Sequence, residues 1–399
     1  MSFFDSLELM PDDPIVSIPK YFASDPRPNK VNLGIGSYKG AEGYPYVLDC
    51  VRDAETALRQ KKLSREYLPI EGDAELLKLT ETLIFGKPLL SSFSGGIFLA
   101  QTIGGTGALY LGGQFLSQNI SESIYIPNVT WPNHRGAFNK SGFKVNQYRY
   151  YDDRSHQLDF NRMCTEISEM PVGSTILLHA CCHNPTGIDP SHDQWMELST
   201  LIKMQRIIPF FDFAYQGFHK SPDDDAFPIR YFLSQGHELL VANSFAKNFG
   251  LYAERVGTLS IVSQSKNNAV KAGSQLKSLI RSNYSSPPRH GAEIITEILS
   301  SEELKKVWLV ELGNMRDRLK EMRHTLVTGL QAKSTDQDWS YLNNQNGFFS
   351  FCGLNEGQVH RLIKDYAIYM PTNGRINVSG LNGHNMDYVI DAILEVTHS

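Results

Sequence analysis

Between residues 95 and 262 the chain alternates short, strongly apolar runs with polar-faced helical stretches. An apolar run at 95–103 breaks at Gly104-Gly105-Thr106-Gly107 and resumes as the helix-like Ala108-Leu109-Tyr110-Leu111. Residues 174–182 read as a buried strand, 191–206 as an amphipathic helix and 207–212 as the next strand. The runs at 239–245 and 258–262 repeat the pattern. Strands that are apolar on both faces need cover on both faces, and parallel neighbours need a crossover long enough to hold a helix. The pattern therefore predicts an α/β fold with a mainly parallel sheet flanked by helices. It does not set the order of the strands.

Beyond residue 300 the period changes. Ser300-Ser301-Glu302-Glu303 offers a capping box. Trp308, Leu312, Met315, Leu319, Met322 and Leu326 follow at helical spacing, a stripe expected to be core or interface. Then come Gly347-Phe348-Phe349-Ser350-Phe351, a helix near 357–366, a strand around 375–378 and a final helix. This predicts a smaller α+β domain. The expected division is an N-terminal arm with part of the small domain at 1–40, a large domain at 41–311 and a small C-terminal domain at 312–399.

Composition removes several classes of function. A formal net charge of -5 and a pI near 6.2 give no basic field for nucleic acid or an anionic membrane. No run approaches the ~20 apolar residues of a membrane span. The start, Met1-Ser2-Phe3-Phe4-Asp5, has neither the basic nor the apolar region of a signal peptide. Five cysteines, odd in number and without zinc-ligand spacing, lead us to expect a reduced, cytosolic protein with no metal.

Five segments carry potential chemistry. Lys247 stands in Ser244-Phe245-Ala246-Lys247-Asn248-Phe249-Gly250, just past the apolar run, with Arg255 beyond. Burial at a strand end favours a neutral, nucleophilic amine, while Ser244 and Arg255 suit a phosphate. The turn Gly104-Gly105-Thr106-Gly107 can point backbone N–H groups at an anion from a helix N-terminus, or it is simply a tight turn. Asp212 ends an apolar strand where open α/β sheets bind ligands, and a buried carboxylate there needs a partner. That partner could be a protonated pyridine nitrogen, a backbone N–H or a histidine such as His134. Asn184, in His183-Asn184-Pro185-Thr186-Gly187, can donate through its amide or merely shape a turn. Trp131, in Trp131-Pro132-Asn133-His134, offers a flat ring or an ordinary core residue.

The order of these residues carries more than any one of them. Gly105-Thr106, Trp131, His179, Asn184-Pro185-Thr186-Gly187, Asp212, Tyr215, Ser244, Lys247, Arg255 and Arg375 run as in the aspartate/aromatic aminotransferases, and the chain resembles that family. The likeness extends from Val31-Asn32-Leu33-Gly34 through Glu66-Tyr67-Leu68-Pro69-Ile70 to Gly374-Arg375-Ile376-Asn377-Val378. It implies pyridoxal 5'-phosphate on fold type I, amino acid and 2-oxo acid substrates, and a homodimer with shared active sites. By resemblance, Lys247 holds the cofactor and moves the Cα proton, and Asp212 keeps the pyridine nitrogen protonated. Tyr215 and Asn184 bond the cofactor phenolate. Trp131 stacks on the ring, His134 supports Asp212 and His179 lies nearby. Gly105, Thr106, Ser244 and Arg255 take the phosphate, joined by Tyr67 of the neighbouring subunit. Arg375 grips the substrate α-carboxylate, Arg281 reaches across the dimer for a distal carboxylate, and Gly36 leaves room for the substrate.

Two departures bear on specificity. Ser286, in Tyr284-Ser285-Ser286-Pro287-Pro288, stands where aspartate-preferring members carry Asn and aromatic-preferring ones carry Ser. Ala253 replaces an expected Asn, whereas Thr106 and Lys39 look aspartate-like. The expected activity is transamination between L-aspartate and 2-oxoglutarate, with an aromatic transaminase as the alternative. A lyase or decarboxylase on the same fold and a non-catalytic binding protein are more distant readings.

Overall fold

The computed structural model describes residues 2–13, 15–61, 64–334 and 337–398. Seven strands form the central sheet: β1 (Gly96–Ile103), β2 (Ser123–Pro127), β3 (Lys144–Tyr148), β4 (Thr175–His179), β5 (Ile208–Phe213), β6 (Leu239–Ser244) and β7 (Val256–Ser263). Their order is β1-β7-β6-β5-β4-β2-β3. Only β7 is antiparallel to its neighbours. Fold class thus follows the alternation of apolar runs and helices.

β4, β6 and β7 are buried at every position, as strands covered on both faces must be. Side chains alternate between two cores. Phe210, Leu240 and Ala242 face α1 (Gly104–Asn119), α2 (Asn133–Lys140) and α4 (Lys266–Asn283), while Phe211, Leu239 and Val241 join the larger core with Trp195 of α3 (His192–Met204) and Ile295 of α5 (His290–Ser300). Two strands, β2 and β3, were absent from the sequence expectation. β3 is one of the two edge strands and exposes Lys144 and Gln147, so it never reads as an apolar run.

Helix α6 (Glu302–Lys333) carries the expected stripe, with Trp308, Leu312, Met315, Leu319 and Leu326 buried and Met322 partly so. The expected capping box is only half made. Ser301 Oγ accepts from the Leu304 N–H at 3.2 Å, but the third helical residue is Leu304, which has no side-chain group to return the bond. A complete box forms instead at Ser191 and Gln194, starting α3. α6 runs without a break across the boundary expected at residue 311. Near its start Trp308 stacks on Phe249 at 4.7 Å and donates Nε1–H to the Asn248 carbonyl at 2.7 Å. The stripe therefore fixes the segment that bears Lys247. Further on, Phe349–Phe351 pairs antiparallel with Arg375–Asn377, and Val31–Asn32 pairs in parallel with Ile368–Tyr369, which brings the start of the chain to its end.

Candidate active site

Strands β1 to β6 all point the same way, so their C-terminal ends meet along one edge of the sheet. β7 runs opposite, which places the residue before it, Arg255, at that same edge beside Gly104. Topology alone thus gathers Gly105 and Thr106 after β1, Trp131 after β2, Asn184 after β4, Asp212 and Tyr215 on and after β5, and Lys247 after β6. All of them, with Gly36, Ser244, Arg255 and Arg375, line one cavity of about 140 Å³. This edge is where open α/β sheets bind ligands.

Asp212, Lys247, Arg255 and Arg375 are charged groups that line the cavity. Asp212 accepts from His134 Nε2 at 3.1 Å, and Thr130 Oγ1 lies 2.8 Å from the other ring nitrogen of His134. His179 Nε2 stands 3.8 Å from the same carboxylate oxygen. Burial pushes the Asp212 carboxyl up, but the His134 bond and the neighbouring His179, His134 and Lys247 together hold it below its ordinary value. The site thus keeps a buried anion ready for a cationic partner. Burial drives His179 down to about 3, against the pull of Asp212, so it stays neutral, and neither of its ring nitrogens has a bonding partner. Ligand atoms of His134, His179 and Asp212 all lie within 4.8 Å of one another. The His134 bond accounts for the approach of His134 to Asp212.

Lys247 is half-buried and lines the cavity, its ammonium 5.1 Å from the Tyr215 ring centre. Burial lowers its amine to about 8; Asp212 opposes this, and the charges of Arg255 and Arg375 add to it. An amine so placed is neutral in a useful fraction near neutrality, the condition for attack on a carbonyl. Burial raises the Tyr215 hydroxyl well above its usual range, so it remains a donor.

Arg375 is 2 % exposed and carries the clearest sign of a missing anion. Nη2 donates to the Gly34 carbonyl at 2.6 Å and Nη1 to Asn184 Oδ1 at 3.3 Å, while the guanidinium lies 4.1 Å over the Phe349 ring. Its Nε has no acceptor, and burial lowers the group to about 10. A buried guanidinium facing a cavity without a carboxylate of its own is costly unless an anionic ligand completes it.

At the opposite wall, Gly104 adopts φ +65°, and a Cβ there would come within 2.5 Å of Arg255 Nη2. At Gly105 a Cβ would approach the Ser244 Cβ to 3.0 Å. Glycine therefore lets the α1 N-terminus close on Ser244 and Arg255. The result is a cradle of backbone N–H groups, one hydroxyl and one guanidinium, suited to a phosphate dianion.

The structure does not bring every expected residue to the cavity. His134 and His179 stand behind Asp212. Tyr67, 86 % exposed, and Arg281, exposed and donating to Ser285, lie outside it. Sequence reasoning missed the apolar walls supplied by Ile15, Leu109 and Phe349. Phe349 had a strand signal but nothing to aim it at a site.

The family described as aminotransferase class I and II matches residues 28–393. The chain belongs to that family. Among proteins similar to this member, an aspartate aminotransferase of Escherichia coli (strain K12) is 42 % identical over 394 residues, covering 98 % of this chain and 100 % of its own. The solved aromatic-amino-acid aminotransferase of Burkholderia pseudomallei, covalently bound to pyridoxal phosphate, is 43 % identical with a TM-score of 0.95, over 99 % of this chain and 100 % of its own. A psychrophilic aromatic amino acid aminotransferase from Psychrobacter sp. B6, cocrystallised with aspartic acid, is 40 % identical with a TM-score of 0.96, over the whole of both chains. For a class I and II aminotransferase, the cavity along the sheet edge is the place to seek both cofactor and substrate.

Proposed function

We propose that this protein is an aspartate aminotransferase. It uses pyridoxal 5'-phosphate to exchange an amino group between L-aspartate and 2-oxoglutarate, giving oxaloacetate and L-glutamate in a ping-pong sequence. The observation that carries this reading is the single cavity holding Lys247, an ionised Asp212 and two separated guanidiniums, Arg255 and Arg375. These groups fit the cofactor. Gly105, Thr106, Ser244 and Arg255 hold its phosphate, Asp212 meets its ring nitrogen, and Trp131 covers the ring. Tyr215 and Asn184 donate to its phenolic oxygen. When bound, the cofactor supplies a protonated ring that spreads the charge developing at the substrate Cα.

The remaining work falls to the protein's own groups. Arg375 pairs with the α-carboxylate in a two-point contact that also satisfies its lone Nε. Lys247 Nζ takes the Cα proton and returns it to the carbon on the other side of the transferred nitrogen. His134 keeps Asp212 oriented and ionised from behind. The apolar walls, including Ile15 and Phe349, exclude water around the moving proton.

Dicarboxylate preference needs a third cation, because Arg255 is assigned to the phosphate and Arg375 to the α-carboxylate. Arg281 of a partner subunit supplies it in this reading, with the partner's Tyr67 completing the phosphate site. The exposure of both side chains on the single chain supports a shared site in a homodimer. The protein is then cytosolic, its five cysteines free. Among the described residues no helix is long and apolar enough to cross a membrane. The division at residues 41 and 312 into arm, large domain and small domain belongs to the same proposal.

One feature favours a second, broader reading. The apolar walls Ile15, Leu109 and Phe349 can receive a ring, and Ser286 stands where aromatic-preferring members carry Ser, so phenylalanine and tyrosine should react measurably but more slowly than aspartate. Arg281→Leu should lower kcat/KM for aspartate and glutamate by about 10²-fold, the scale of one lost charge-assisted contact, and leave phenylalanine nearly unchanged. Equal losses for both classes, or a wild-type preference for phenylalanine, would remove the dicarboxylate assignment.

A pH prediction follows from Lys247. The attacking form is the neutral amine, and its fraction rises as pH passes through the lowered value near 8 rather than through 10.5. Covalent uptake of pyridoxal phosphate by the apoprotein, read by visible absorbance, should therefore accelerate up to about pH 8 and then level. Acceleration continuing unchanged to pH 10 would mean the amine is not held down by its site.

A further inference from the structure

Asn184 and Tyr215 reach the cavity on two loops, 180–191 after β4 and 214–221 after β5. A second set of contacts ties these loops together, and none of its members lines the active-site cavity. Asp189 accepts from the backbone N–H of Cys182 at 2.8 Å and of His183 at 2.9 Å, which shapes the turn leading into Asn184. Asp225 accepts from the N–H groups of Gly217 at 2.8 Å, His219 at 3.1 Å and Lys220 at 3.0 Å, which shapes the turn leaving Tyr215. Between the two carboxylates stands His219, whose Nδ1 lies 3.5 Å from Asp189 Oδ2.

The environment favours a bridge. The Asp189 side chain is 4 % exposed and Asp225 is 3 % exposed, and burial pushes both carboxyls above their ordinary range. The imidazole of His219 acts against that rise at each of them. Its own side chain is 30 % exposed, at the wall of a separate cavity of about 180 Å³. Cys181, His192, Lys220 and Asp224 are the other titratable groups on that wall. Of these, Lys220 is the lone fixed cation, and its backbone N–H is already committed to Asp225.

We propose that His219 is a positioning residue: its ring joins the Tyr215 loop to the Asn184 loop through Asp189 and so fixes the spacing of the two groups that face the cofactor. The inference rests on the proposed function, in which Tyr215 and Asn184 donate to the same cofactor oxygen. With the ring removed, Asp189 and Asp225 keep their own backbone bonds, so each loop survives while their registration loosens. The effect should be local.

Two measurements test this on His219→Ala and on His219→Asn, whose amide nitrogen overlays Nδ1. Hydrogen–deuterium exchange on the apoprotein should show the amides of Cys182 and His183 exchanging about fivefold faster in the alanine variant, because their acceptor Asp189 is no longer steadied by the ring. Exchange in β4 and β5 should be unchanged, and the asparagine variant should recover most of the protection. In the cofactor-loaded protein, the pH midpoint of the visible band should move in His219→Ala and return in His219→Asn. Unchanged exchange and an unchanged midpoint in His219→Ala overturn the proposal, as does equal loosening in both variants. A wild type that takes up no pyridoxal phosphate would defeat the functional reading instead, while the exchange arm still decides the bridge.

Discussion

Lys247→Ala should abolish transamination, by about 10⁴-fold or more, while the protein keeps its fold. That magnitude is the upper end of what a positioned acid–base group contributes, and Lys247 is in addition the only lysine among the described residues that lines the cavity. Truncation there enlarges the cavity, because the side chain lines it and ends over the Tyr215 ring. Far-ultraviolet circular dichroism and the thermal midpoint should therefore change little, whereas the visible band of the loaded protein should disappear. An external amine such as methylamine should restore part of the proton transfer. Normal turnover by the variant would remove Lys247 from the reaction.

The second largest loss is expected at Arg375. Arg375→Ala should lower kcat/KM for every amino acid substrate by about 10²-fold or more, since a charge-assisted pair contributes about 1.5–3 kcal/mol and this one is buried. The uniformity distinguishes it from Arg281→Leu, whose effect should follow the distal carboxylate alone. Arg375→Lys should rescue little. An ammonium cannot reproduce the planar fork that reaches the Gly34 carbonyl and Asn184 Oδ1 together while lying over Phe349. A lysine variant within a few-fold of wild type would show that the planar geometry is unimportant.

Much of this site was legible in the sequence because the chemistry sits at the ends of apolar strands. β4, β5 and β6 announce themselves as uninterrupted apolar runs, and Asn184, Asp212 and Lys247 follow directly from where those runs stop. The pairing of Asp212 with His134 was open to the same reasoning, since a buried carboxylate needs a partner. What stayed hidden has a physical cause in each case. β3 pairs along one side only and carries polar residues, so it lacks the apolar run that marks β4, β6 and β7. Ile15 and Phe349 reach the cavity from opposite ends of the chain, which no local pattern can reveal. The capping box at Ser301 fails by one position, a shift that spacing alone does not resolve. Tyr67 and Arg281 had roles only through family likeness, and the single chain leaves both at its surface. Asp189 was overlooked because its hydrogen bonds run to backbone groups, and His219 because it meets Asp189 from a different loop.

In the proposed function, this cavity carries out the two halves of an amino-group exchange separately. The most direct test is a single-turnover experiment with the cofactor-loaded protein. Mixed with L-aspartate alone, the protein should lose its visible absorbance and release one equivalent of oxaloacetate per site with no carbon dioxide. Adding 2-oxoglutarate should then restore the absorbance and yield one equivalent of L-glutamate. Continuous turnover of aspartate without any oxo acid, release of carbon dioxide, or no spectral change at all would contradict the account.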